Sequence, residues 1–288
     1  MALKVGIQLF SVRDEMAKDP IECIKKVAEI GYKYLEVANP RADEDPGCGF
    51  GMTPDELLKA LDGTGAKIIS GHIRPITEET LPGIIEWHKA VGNTVVGQSM
   101  AMYDSLENVL EMCKYYNAMG KKLAENGMKF LFHNHYHEFV KIGDKTIYDI
   151  IIENTDPEYV TFELDTFWAM RGGEDPIALI KKLNGRLFAI HQKDFSKTAV
   201  FDHNINLLAN SKDKPVTTRE DFMAAGQKPT DFCEVGTGIM PIQEILDAAN
   251  EAGAEYVILE QDHTQLGQLE SIKLSMEAFH NYSGVVFE

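Results

Sequence analysis

Four short apolar runs in this chain stop abruptly at residues that ligate metals or move protons. They are Lys129-Phe-Leu-Phe-His-Asn-His135, Tyr159-Val-Thr-Phe-Glu-Leu-Asp165, Leu187-Phe-Ala-Ile-His-Gln-Lys-Asp194 and Tyr256-Val-Ile-Leu-Glu-Gln-Asp262. Runs of this length and composition are strand material, and a charged group at a buried strand end is costly unless something convergent compensates it. A lone Asp in such a place usually caps the next helix, and a lone His is usually a satisfied polar group. Four in a row point to a shared site. His133, Asp165, His191 and Glu260 together offer two imidazoles and two carboxylates, a mixed nitrogen and oxygen set. It suits a divalent cation, manganese first, with cobalt, zinc or magnesium as alternatives.

For these residues to meet, the strands must be parallel and adjacent, and the remaining sequence supplies that frame. Strand and helix patterns alternate throughout. Val5–Phe10 reads as strand one and Pro20–Ile30 as an amphipathic helix closed by Gly31. Tyr34–Ala38 is strand two, and Thr53-Pro-Asp-Glu56 opens a helix with an N-cap threonine and proline at the first turn. Lys67–His72 and Thr94–Gly97 are strands three and four. Helices are expected over Glu78–Val91, Ser105–Asn126, Thr146–Asn154, Pro176–Leu183, Pro241–Ala252 and Leu269–Phe279. Eight βα units predict a single (β/α)8 TIM barrel over residues 1–288, with an irregular insertion over the barrel mouth at 196–238. No glycine-rich dinucleotide fingerprint follows strand one, which argues against an open doubly wound sheet.

Composition narrows the function. A charge of −17 over 288 residues disfavours a nucleic-acid partner, which needs clustered Lys and Arg. No apolar run is long enough to span a membrane, and the N-terminus enters a strand without a signal-peptide pattern, so a cytoplasmic protein is expected. The four cysteines form no CxxC pair and read as buried thiols.

The chain resembles the sugar phosphate isomerase/epimerase family with the xylose-isomerase-like barrel over essentially its whole length. The resemblance rests on Gly6-Ile-Gln-Leu-Phe-Ser-Val-Arg-Asp14, Phe132-His-Asn-His-Tyr-His-Glu-Phe139, Phe162-Glu-Leu-Asp-Thr-Phe-Trp168, His191-Gln-Lys-Asp194, Glu234-Val-Gly-Thr-Gly238 and Leu259-Glu-Gln-Asp-His263. It implies a metal set of Glu, Asp, His and Glu from strands five to eight. Asp165, His191 and Glu260 match the last three. His133 stands in the usual Glu position, and Glu138 is the nearest carboxylate that could serve instead, so both remain candidates.

Such a centre polarises a carbonyl and stabilises an enediolate, from which isomerisation, epimerisation or elimination can follow. His135, Glu163 and Glu138 are candidate bases, and Lys193 is placed to stabilise an oxyanion. Glu36, His72, Gln261 and Asp262 are candidates for binding substrate hydroxyls, and Trp168 and Phe10 for stacking on a sugar face. Arginine is scarce near the strand ends, Arg13 and Arg74 excepted, so an unphosphorylated carbohydrate is expected. The leading expectation is a sugar isomerase or epimerase. The alternatives are a lyase of 3-keto-glycosides, or a non-catalytic sugar-binding barrel or subunit. A homo-oligomer or a partner subunit is the expected kind of assembly.

Overall fold

The computed structural model describes residues 2–98, 100–199, 218–224 and 228–288. Eight parallel strands close on themselves: β1 (Leu3–Gln8), β2 (Tyr34–Asn39), β3 (Lys67–Ile73), β4 (Val95–Gln98), β5 (Lys129–His133), β6 (Val160–Asp165), β7 (Leu187–Gln192) and β8 (Tyr256–Leu259). Each pairs with its neighbour in sequence, and β8 returns to β1 through Lys4–Ile7 opposite Tyr256–Leu259. The fold is the TIM barrel that the alternating pattern predicts. A short C-terminal strand, Val285–Val286, also pairs with the start of β1, and nothing in the repeat pattern signals it.

The helices begin where the capping chemistry places them. Thr53 and Glu56 form a capping box ahead of Pro54–Leu61, and Asp19 accepts the Glu22 amide ahead of Pro20–Ile30. The helix expected from Glu78 starts later, at Leu81, because Thr77 and Thr80 close a turn on each other first. Two short helices have no counterpart in the sequence pattern: Arg13–Lys18 after β1 and Thr166–Arg171 directly after β6.

The expected insertion at 196–238 lies partly outside the described residues. Within them, Asp194–Phe195 pairs antiparallel with Phe232–Cys233, and Arg219–Ala224 is helical. The Asp194 carboxylate accepts the amides of Gly236, Gly238 and Met240, each at 3.0 Å. A Cβ on Gly238 would lie 2.0 Å from the Phe195 carbonyl oxygen. The Glu234–Gly238 motif therefore packs its backbone onto Asp194, which closes the segment back onto strand seven.

Side chains alternate along each strand, so residues two apart share the barrel interior. The interior splits into two levels. Tyr34, Ile69, Ala189, Tyr256 and Ile258 form an apolar cluster separate from the helix–strand core. Two residues further along the same strands stand Glu36, His191 and Glu260.

Candidate metal centre and its surroundings

The residues highest in the barrel converge as two overlapping groups. His133, Asp165, His191 and Glu260 each offer one ligand atom, all within 4.8 Å of one another, and all four residues are buried. His72, His133, Glu163 and His191 form the second group one level below.

The lower group fixes the imidazoles. Glu163 Oε2 faces His72 Nε2 at 2.7 Å, His133 Nδ1 at 3.0 Å and His191 Nε2 at 3.0 Å. Glu36 Oε1 accepts Gln8 Nε2 at 2.7 Å and meets His191 Nε2 at 2.8 Å and His72 Nε2 at 3.2 Å. Burial works against the charge on Glu163, but His191 and His72 outweigh it and hold the carboxyl well below its usual range. An ionised carboxylate only accepts, so His133 must donate through Nδ1, and its Nε2 lone pair is left for the group above. Burial, only partly opposed by Glu163, brings His133 down to about 3, so it is neutral as a ligand must be.

The upper group is compensated by one cation. The Lys193 ammonium contacts Asp165 Oδ2 and Glu260 Oε2 and lies 3.4 Å from Asp262 Oδ2. Burial opposes its charge, yet Asp165, Asp262 and Glu260 together raise its pKa. Glu260 also faces His191 Nδ1 at 3.1 Å. Asp165 does two jobs: Oδ1 caps Thr166–Arg171 through the Trp168 amide at 2.8 Å, and Oδ2 faces the site. Asn134 ties β5 to β6 at this level by exchanging bonds with the Asp165 backbone.

Above the cluster opens a cavity of about 560 Å³, lined in part by His72, His133, His135, Trp168, Glu260 and Asp262. The His135 Nδ1 and Trp168 Nε1 atoms are buried with no hydrogen-bond partner among the described residues. Burial, then His133 and His137, push His135 well below the usual histidine range, so its ring is neutral. Asp262 is the opposite case. Burial raises it to about 7 despite Lys193.

The other expected site residues fall in different places. Glu138 does not join either group. The chain turns after Asn134, and Glu138 Oε2 instead accepts the His135 amide at 2.9 Å and faces His137 at 3.2 Å. Glu163 contacts three imidazoles and is not among the residues that line the cavity. Glu36 likewise belongs to the lower network. Gln261 turns away, its amide donated to Ser11 and its side chain to the His263 carbonyl. Phe10 lines the cavity beneath the Arg13 guanidinium.

Sequence reasoning missed Gln8, whose place at the end of β1 was the available signal. It also missed Phe222, which stacks on Tyr136 at 4.8 Å and meets His135 edge-on at 5.5 Å. Arg41 and Arg219 line the same cavity, on the loops after β2 and β7.

Residues 24–282 match the sequence model of the xylose isomerase-like TIM barrel, and the chain belongs to that enzyme family. Among curated relatives, an inosose dehydratase of Mesomycoplasma hyopneumoniae is 30% identical over 279 residues, covering 88% of this chain and 85% of the relative. A sugar phosphate isomerase/epimerase from Parabacteroides distasonis shares the fold with a TM-score of 0.75 at 23% identity, over 99% of this chain and 96% of the other. An IolI protein with a bound zinc atom aligns over 97% of both chains with a TM-score of 0.67 at 14% identity. Among the described residues, no helix is long and apolar enough to cross a membrane.

Proposed function

We propose that this chain is a divalent-metal-dependent lyase that eliminates water, or a glycosidic alcohol, from the carbon β to a ketone in a sugar-like substrate. The sequence favoured isomerisation or epimerisation through the same enediolate. The dehydratase relatives, which align over most of both chains, favour elimination instead.

The observation that carries the reading is the buried set of His133, Asp165, His191 and Glu260 at the floor of an open cavity. Two imidazole nitrogens and two carboxylate oxygens within 4.8 Å fit a small first-row cation, which would displace the proton that Glu163, Glu36 and Glu260 hold on His191, and manganese is the proposed one. When bound, such an ion supplies Lewis-acid stabilisation of the negative charge that develops on the carbonyl oxygen.

The chain's own residues do the rest. Neutral His135 faces the cavity with an unpartnered nitrogen and takes the proton α to the carbonyl. The electron pair released moves onto the carbonyl oxygen and returns to form the carbon–carbon double bond, breaking the β carbon–oxygen bond. Asp262, raised to about 7, is protonated in part of the molecules at neutral pH, and that form gives its proton to the departing oxygen. Lys193 stays charged and holds Asp165, Glu260 and Asp262 at their spacing. Trp168 and Phe222 exclude water around His135 in a barrel read as a single domain.

The test is elemental analysis of protein purified without chelator, beside Asp165→Ala. About one divalent ion per chain, lost in the variant, is the expected result, together with formation of an unsaturated ketone from keto-sugars or 3-keto-glycosides. A chain that takes up no Mn, Co, Zn or Mg would overturn the proposal and favour a non-catalytic carbohydrate-binding barrel.

A further inference from the structure

The chain contains six arginines, and four of them, Arg13, Arg41, Arg74 and Arg219, line the one cavity above the metal-ligand cluster. In a protein of net charge −17 that gathering needs a cause. Two of the four are accounted for. Arg13 donates to the carbonyls of Phe10 and Asp262 and lies over the Phe10 ring. Arg41 pairs with Glu44 at 3.5 Å on the surface.

Arg74 and Arg219 are different. Neither guanidinium has a carboxylate or hydrogen-bond partner among the described residues, although 45 acidic residues are available in the chain. Arg74 is half-buried, and Arg219 is near enough to repel it. Burial first, and then Arg219, lowers the Arg74 pKa. Arg219 is exposed and Arg74 is partly desolvated, and an anion between them would offset both the lost hydration of Arg74 and the repulsion from Arg219. Position strengthens the case. Arg74 follows His72 by two residues at the end of β3, a step of roughly 7 Å along the same face of the strand. It therefore stands over the side of the mouth whose floor is the histidine cluster. Arg219 comes from the opposite direction in the chain, on the segment after β7. The pair also forms the wall shared with a neighbouring hollow lined by Pro75, Gln98 and Tyr115, which leaves room for a substituent beyond the reacting carbons.

We propose that Arg74 and Arg219 form a subsite for an oxyanion carried by the substrate, a carboxylate or a phosphate, so that the lyase acts on an acidic sugar derivative. This rests on the lyase reading for the word substrate, but not for the binding of the anion. If the anion is a phosphate, it also reverses the expectation of an unphosphorylated carbohydrate, which counted arginines only at strand ends and missed the one on the distant segment. A guanidinium pair holds either oxyanion in bidentate fashion and fixes the ring's orientation over His135.

The experiment is calorimetric titration of the full chain with inorganic phosphate, glucuronate and glucose, for the native protein, Arg74→Gln, Arg219→Gln and Arg74→Lys. Glucuronate, phosphate or both are expected to bind at least tenfold more tightly than glucose, and the tighter of the two names the anion. Arg74→Gln should weaken that anion tenfold or more and Arg219→Gln at least threefold, with glucose unchanged. Arg74→Lys should recover part of the loss, which a merely misfolded loop would not. Less than a threefold loss in either glutamine variant, or anions no tighter than glucose, overturns the proposal. Metal content, measured on the same samples, should be unchanged in the arginine variants. Absent metal in the native protein with anion binding intact would refute the lyase and leave the subsite standing.

Discussion

The two ends of the barrel are built by the same strands and filled by opposite chemistry. At the amino end, Tyr34 and Tyr256 meet edge to face at 5.4 Å in one cluster with Ile69, Ala189 and Ile258, with the ammonium of Lys4 5.0 Å from the Tyr256 ring. At the carboxyl end, five carboxylates, three histidines and a lysine gather instead. The apolar end is held by burial and ring contacts and contains no paired carboxylate in its cluster. Every charge at the other end depends on another charge, and the groups with unpartnered atoms lie where the cavity opens. Stability and chemistry are thereby separated along the barrel axis.

That separation can be broken at several points. The largest effect is expected at His135. His135→Gln should lower turnover by about 10²–10⁴-fold with metal content and melting temperature nearly unchanged, because it removes a positioned base and no ligand. Steady-state kinetics beside elemental analysis check it. Next is Lys193→Met, which leaves Asp165, Glu260 and Asp262 uncompensated in a buried setting. Chelator-treated protein should lose about 3–5 kcal/mol in denaturant unfolding, and divalent metal should restore part of that loss. At the other end, Tyr256→Ala should cost about 2–4 kcal/mol through lost packing while metal stoichiometry and turnover per folded chain stay as they were.

The smallest effect contrasts two buried histidines. His191 is raised well above its usual value: burial opposes the charge, but Glu163, Glu36 and Glu260 overcome it. His88, on the helix Leu81–Ala90, has no carboxylate against it, and burial alone pushes it down from 6.5 to about 3. The unfolded chain takes up a proton at His88 as pH falls through 6.5, whereas the folded chain does not until about 3. The stability that His88 contributes is therefore present above pH 6.5 and lost as pH falls toward 3. Between pH 7 and pH 5 the loss is about 2 kcal/mol. Replacing it by Gln should remove about that much from the acid dependence of unfolding, measured as the difference between the two proteins.

Much of the fold and part of the site are legible in the order of residues alone. Thr53, Asp19 and the helix-closing glycines place helix ends through bonds to near neighbours. The inward positions of His133, His191 and Glu260 follow from strict alternation along a strand. What the sequence blurs are choices between residues of one type on one face. Glu163 and Asp165 share a strand and a direction, and both end an apolar run. One pleat of height separates a carboxylate pinned under three imidazoles from one that faces Lys193. Glu138 looks available as a ligand because its distance in sequence from His133 is short, yet the turn at His137–Phe139 directs it to the His135 amide.

The barrel, the strand-end candidate ligands and their mixed donor set are properties of the sequence, because alternation, capping and burial act over a few residues. Which charges are paired and which are left open is a property of the folded chain. Closure of the barrel brought Lys193 between Asp165 and Glu260, raised Asp262, lowered His88 and His135, and set Arg74 beside Arg219 across 145 residues of chain. A charge's behaviour is set by the few ångströms around it, and which groups share those ångströms depends on how the whole barrel closes.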